Sequence, residues 1–119
     1  MFEYNFEKLE VWKLSLQAIK EIKRITKKFP IEEKYVLTDQ IRRAVLSIAL
    51  NIAEGWGRKT KKDFGRFISN AIGSNLEVVA CLKIAQDLNY VNDKEAKRLD
   101  ELLKELYLKL LKFSEYLNK

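Results

Sequence analysis

Histidine is absent from this chain of 119 residues, and cysteine and proline occur once each. Each shortage removes a class of function. Without histidine the chain lacks the commonest general base and the commonest metal ligand. With Cys81 as the only thiol, zinc of the usual structural or catalytic kind is excluded, and no disulfide can form within the chain. A di-iron bundle would need Glu-x-x-His motifs, which cannot exist here. The four glycines, Gly55, Gly57, Gly65 and Gly73, match neither dinucleotide-binding nor Walker spacing. No apolar run approaches the roughly 20 residues of a bilayer span. The N-terminal stretch carries Glu3, Glu7 and Glu10 and does not read as a signal peptide, so the expected location is the cytoplasm, with no membrane partner. No metal and no cofactor is expected.

What is present is helical periodicity. From Phe6 to Phe29, one apolar line holds Leu9, Trp12, Leu16 and Ile19, and a second holds Val11, Leu14, Ala18, Ile22, Ile25 and Phe29. Pro30, the only proline, stops that helix, and Ile31 to Lys34 make a turn. A second helix runs to about Glu54, with Gly55 and Gly57 as terminators. It is apolar on nearly every side, so Ile41, Ala44, Val45, Leu46, Ile48, Ala49, Leu50, Ile52 and Ala53 are expected to be buried. Thr60 with Asp63 approximates a capping box, which starts a third helix near Lys61 that runs to about Leu88. Its Phe64, Ile68, Ala71, Val78, Leu82 and Ala85 form one apolar line, with Ile72, Leu76 and Val79 beside it. Gly65 and Gly73 each cost a helix roughly 1 kcal/mol against alanine, and close approach of a neighbouring helix is their expected use. Cys81, among Val78, Val79, Leu82 and Ala85, reads as a small buried hydrophobe. After a loop at Asn89 to Asn92, the heptad Ala96, Leu99, Leu103, Leu106, Leu110, Phe113 and Leu117 marks a fourth helix with a left-handed packing seam. Four helices with short loops give an all-α fold, an antiparallel up-and-down four-helix bundle forming one domain over residues 1–119.

Two polar lines interrupt this pattern. Gln40, Arg43, Ser47, Asn51 and Glu54 stack on one face of the second helix, and Arg66, Asn70, Ser74 and Glu77 on one face of the third. Three readings are open. The lines pair across the hairpin, with Arg43 or Arg66 neutralising Glu54 or Glu77; they form a contact between protomers; or Glu54 and Glu77 act as a carboxylate pair. With no histidine, metal-ligand set or recognisable nucleophile, the catalytic reading has least support and no catalytic residue is assigned.

Net charge is +6, which favours an anionic partner. Residues 1–30 carry +3, residues 31–57 carry −1, residues 58–91 carry +3 and residues 92–119 carry +1. The cluster Arg58, Lys59, Lys61, Lys62 and Arg66 is the best candidate for phosphate contact, beside the amides of a helix N-terminus. No base-reading motif accompanies it, so RNA or DNA would be held by its backbone.

Several pieces of the sequence carry a family resemblance. These are Phe6-x-x-Leu9-x-Val11-Trp12, Phe29-Pro30 with Glu33 shortly after, Leu37-x-x-Gln40-Ile41-Arg42-Arg43-Ala44, Ser47-Ile48, Asn51-Ile52-Ala53-Glu54-Gly55, Phe64-x-x-Phe67, Ala71-x-Gly73-Ser74, and Glu77. They resemble the bacterial four-helix-bundle proteins encoded in intervening sequences of 23S ribosomal RNA genes. The resemblance covers nearly the whole chain up to Tyr90, and helix four agrees in pattern alone. It implies kinship in fold with the accessory protein of diversity-generating retroelements, a cyclic homo-oligomer with pentamers favoured, and no established enzymatic activity. The family's recurrent polar positions fall on Gln40, Arg43, Ser47, Asn51, Glu54, Ser74 and Glu77. The expected function is therefore a non-enzymatic oligomeric accessory protein that contacts RNA or DNA; the alternative is a protein-interaction scaffold with no direct nucleic-acid role.

Overall fold

The helical periods of the sequence become four long helices in the computed structural model, which describes all residues from Met1 to Lys119. A 3-10 turn, Asn5–Lys8, leads into α1, Glu10–Thr26. A second short turn, Ile31–Glu33, precedes α2, Leu37–Trp56, which is followed by α3, Lys61–Asp87, and α4, Asp93–Leu117. Each helix packs on its neighbours in sequence and α1 closes against α4, with no diagonal contact, so the fold is an all-α up-and-down bundle. The most extensive contact is between α2 and α3. Thr60 caps α3 by accepting from the Asp63 amide at 3.1 Å, and Asn92 caps α4 by accepting from the Glu95 amide at 2.8 Å.

One continuous apolar core joins the four helices. Val11, Leu14, Ala18, Ile22 and Ile25 from α1 meet Ile41, Val45, Ile48 and Ile52 from α2, while α3 contributes Ile68, Ala71, Val78 and Leu82. The heptad of α4 is buried at every position except Phe113, which is half-buried. Cys81 is buried, and burial raises its thiol pKa, with the Glu77 carboxylate adding to the rise. Two polar side chains are fully buried: Asn75 donates to the main-chain carbonyl of Leu103 at 3.1 Å, and the Ser15 hydroxyl to that of Trp12 at 2.7 Å. α3 is long and apolar enough by composition to cross a bilayer, yet it packs between α2 and α4 as the shared wall of the core.

The structure corrects the sequence reading at several places. α1 ends at Thr26, before Phe29; the Thr26 hydroxyl donates to the Ile22 carbonyl at 2.7 Å, and Lys27–Phe29 form a turn ahead of Pro30. Leu46 and Leu50 are 49% and 55% exposed rather than buried, and Leu76 is exposed as well. In a bundle of four, α2 and α3 each have two packed neighbours, so a third side of each helix meets solvent. Gly55 does not terminate α2. It sits buried inside the last turn, and a β-carbon there would stand 2.7 Å from Phe64 Cδ1 and 2.8 Å from Phe67 Cβ.

The α1–α4 seam carries the main ion-pair network. Arg98 reaches both oxygens of Glu21 at 3.0 Å, and Arg24 bridges Glu21 at 2.9 Å and Glu95 at 2.6 Å. Hydrogen bonds from Arg98 and then Arg24 hold the Glu21 carboxyl down at about 2, from an ordinary 4.5. A carboxyl depressed in the folded state contributes stability above its unfolded pKa and loses it as pH falls toward the folded one. Glu21→Gln is therefore expected to lower stability at pH 7 by about 1 kcal/mol, a magnitude set by partial solvent exposure. Denaturant melts of both proteins across the range from about 4.5 to about 2 should show that difference shrinking steadily with falling pH.

Candidate functional site

At the C-terminal end of α2 the chain turns through Gly57 and Arg58 into the N-terminus of α3, and all five clustered cations are exposed there. They fall into two groups. Arg58 pairs with Glu54 at 3.2 Å and lies 3.9 Å from Asp63, while Arg66 bonds Asp63 at 2.7 Å. Both guanidiniums also cover the ring of Phe67, at 4.4 Å and 5.5 Å from its centroid. The two arginines are thus held in place around one carboxylate and one aromatic ring. Lys59, Lys61 and Lys62 have no carboxylate within 4.0 Å, and Lys61 instead stands 4.6 Å above the ring of Tyr116 from α4. A wholly polar cleft of about 380 Å³ opens beside them, lined by Thr60, Lys62, Asp63, Arg66, Ser69 and Asn118 with Gly65 at its floor. Gly65 serves close approach as expected: a β-carbon there would stand 3.1 Å from Asn118 Oδ1.

Phe67, Tyr116 and the exposed Trp56 belong to this end of the molecule although charge counting did not mark them. The available signal for Phe67 was an aromatic pair, Phe64-x-x-Phe67, set within the basic run, with Arg66 next to it and Arg58 nine residues before it. Tyr116 could not: its contact with Lys61 spans 55 positions of the chain and depends on α4 returning to α3.

The two polar lines lie on the outside of the α2–α3 hairpin. Gln40, Arg43, Glu54, Asn70 and Glu77 are exposed, and Ser47, Asn51 and Ser74 half-buried. The lines do join across the hairpin, but by hydrogen bonds rather than ion pairs. The Gln40 amide donates to the Glu77 carboxylate, and the Ser74 hydroxyl bonds that of Ser47 at 3.0 Å. Asn51 donates back to the Ser47 carbonyl and hydroxyl, at 2.9 and 3.0 Å. The expected neutralisation of Glu54 or Glu77 by Arg43 or Arg66 does not occur, since Arg43 leans toward Asp39 at 3.8 Å and Arg66 toward Asp63. Glu54 and Glu77 do not form a carboxylate pair either. Glu77 meets Gln40, which is fourteen residues from Glu54 along α2, or about 21 Å of helix. No group of three metal-ligating side chains gathers anywhere on the chain.

The sequence matches the family described as 23S rRNA-intervening sequence protein over residues 7–112. The chain belongs to that family. The match extends past Tyr90 well into α4, farther than the quoted motifs reach. The intervening-sequence fold also appears in a solved structure, a protein with unknown function from the S23 ribosomal protein family of Bacteroides thetaiotaomicron VPI-5482. The two superpose with a TM-score of 0.81 at 23% identity, covering 87% of this chain and 97% of that one. A search of curated proteins finds no match.

Within this intervening-sequence protein, Gly55 and Gly73 make opposite demands. Gly55→Ala forces a β-carbon into two phenylalanines and should destabilise by about 1–3 kcal/mol. Gly73 has no atom within 4 Å of a β-carbon position, so its expected packing role within the chain is absent. Gly73→Ala should therefore stabilise the isolated chain by up to about 1 kcal/mol, readable as a higher midpoint in a urea melt.

Proposed function

We propose that this protein is a non-enzymatic accessory protein of the cytoplasm that works as a cyclic homo-oligomer and holds RNA or DNA by its phosphate backbone. The observation that carries the nucleic-acid reading is the loop from Arg58 to Lys62, where three lysines stand free of carboxylates beside two arginines braced on Phe67. Mobile lysines at a helix N-terminus suit phosphate oxygens, and nothing in the cluster is shaped to read base edges. Affinity for generic RNA or DNA is expected to fall linearly in log–log form with salt, as displaced counterions require. Lys59→Gln and Lys62→Gln should each weaken binding to all sequences alike and reduce the salt slope by about 1. Gel shifts that stay blank at low salt would remove the nucleic-acid role and leave a scaffold for protein contacts.

The oligomer rests on the outer face of the α2–α3 hairpin. Leu46, Leu50, Leu76 and Ile84 are exposed beside the polar lines, with Gly73 bare among them. Contiguous apolar surface bordered by polar residues marks contact surfaces, and a ring of identical chains uses two different faces of each protomer. Five subunits is the number that the family resemblance implies. Light scattering at micromolar concentration is the check: a stable particle of 14.0 kDa rules the ring out.

A further inference from the structure

A second cluster of cations lies at the opposite end of the bundle, where α1 ends and α2 begins. Here Lys27, Lys34 and Arg42 line a cavity of about 200 Å³ together with Thr26, Pro30 and Thr38. No acidic side chain lines it, and none of the three cations has a carboxylate within 4.0 Å. The nearest acids in sequence are Glu32, Glu33 and Asp39; Glu33 accepts from the Tyr90 hydroxyl at 2.8 Å, and Asp39 lies 3.8 Å from Arg43.

Three features give this cavity the form of an oxyanion site. Arg42, half-buried, donates from Nε to the Thr26 hydroxyl at 2.8 Å, which orients the guanidinium and leaves its two terminal nitrogens without a protein partner. The Thr26 hydroxyl can accept that bond because its own proton goes to the Ile22 carbonyl at 2.7 Å. Thr38 lines the cavity, and its hydroxyl, which makes no hydrogen bond within the protein, is open to solvent there. The third feature is the start of α2. Val36 offers no capping side chain, and the amides of Leu37, Thr38 and Asp39 find no acceptor in the chain. A helix of 20 residues presents partial positive charge at that point.

We propose that this cavity binds a phosphate group, with the free guanidinium edge of Arg42 taking two oxygens, Lys27 and Lys34 balancing the charge, and the Thr38 hydroxyl donating to a third oxygen. A guanidinium held by its Nε, two flexible ammoniums and a free hydroxyl suit a small dianion with several acceptor oxygens better than a planar singly charged carboxylate. The site is independent of the nucleic-acid reading above, since the loop from Arg58 to Lys62 lies about 30 Å away along α2. The phosphate could be free, a terminal monoester or part of a backbone, and the test separates these sources.

The test is a nitrogen-15 NMR titration of the folded protein with inorganic phosphate, replacing chloride at constant ionic strength. Saturable movement of the Thr38 and Asp39 amides and of the Arg42 Nε resonance is expected. Lys34→Gln, at an exposed position, and Thr38→Val, which keeps the side-chain shape, should each weaken the apparent affinity, the first by roughly tenfold. Lys62→Gln at the other end should leave it unchanged. A 5′-phosphorylated oligoribonucleotide that moves these signals when its 5′-hydroxyl counterpart does not identifies a terminal monoester. Equal movement by both identifies backbone phosphate, and response to inorganic phosphate alone identifies the free ion. Linear, unsaturable drift, or movement unaltered in both Lys34→Gln and Thr38→Val, overturns the site.

Discussion

At Gly55 the α2 backbone, the ring of Phe64 and the β-carbon of Phe67 come so close that a single methyl group would not fit. This approach sets the rotation of α2 against α3, and much else follows from it. With the inner side of α2 committed to Ile41, Ile48 and Ile52, its polar line and Leu46 and Leu50 are turned outward. The same contact stations Phe67 where Arg58 and Arg66 can both lie over it. A helix interior normally disfavours glycine, so its presence one position before the end of α2 is a packing requirement and not a stop signal.

Polar groups on the outer face satisfy each other in a shallow seam. Serine meets serine, glutamine meets glutamate, and asparagine turns back to its own helix. Such pairing leaves Arg43 and Glu54 with loose, exposed partners, at 3.8 and 3.2 Å. The α1–α4 seam is built differently: its two helices are joined at the surface by Glu21, Arg24, Glu95 and Arg98, a network that stays solvated.

The cations divide by what surrounds them rather than by number. Arg58 and Arg66 have much of their charge answered by Glu54 and Asp63, although they sit in the densest basic run of the sequence. Arg42 stands in the one segment with a negative balance, residues 31–57, yet it has no carboxylate partner and shares its cavity with Lys34 of that segment and Lys27 of the one before. Counting charge along the chain does not show which cations are paired, because pairing depends on which side chains folding brings within reach.

Helix existence, order and capping were legible in the residues, since periods of three and four, Thr60 and Asn92 act within a few positions of themselves. The α4 seam was legible for the same reason: a strict heptad determines which side of a helix is apolar before any partner is known. Which apolar sides would find a partner was not legible. Leu46, Leu50 and Leu76 have the same chemistry as Leu103 and Leu106, and only the count of neighbouring helices separates exposed from buried. The cation sites were decided in the same way. Lys61 on Tyr116 is a meeting between segments distant in sequence, and Lys27 reaches the cavity of Arg42 only because the chain turns back between α1 and α2. Local sequence determined the helices; the way four of them close around one core decided which surfaces remained open to a partner.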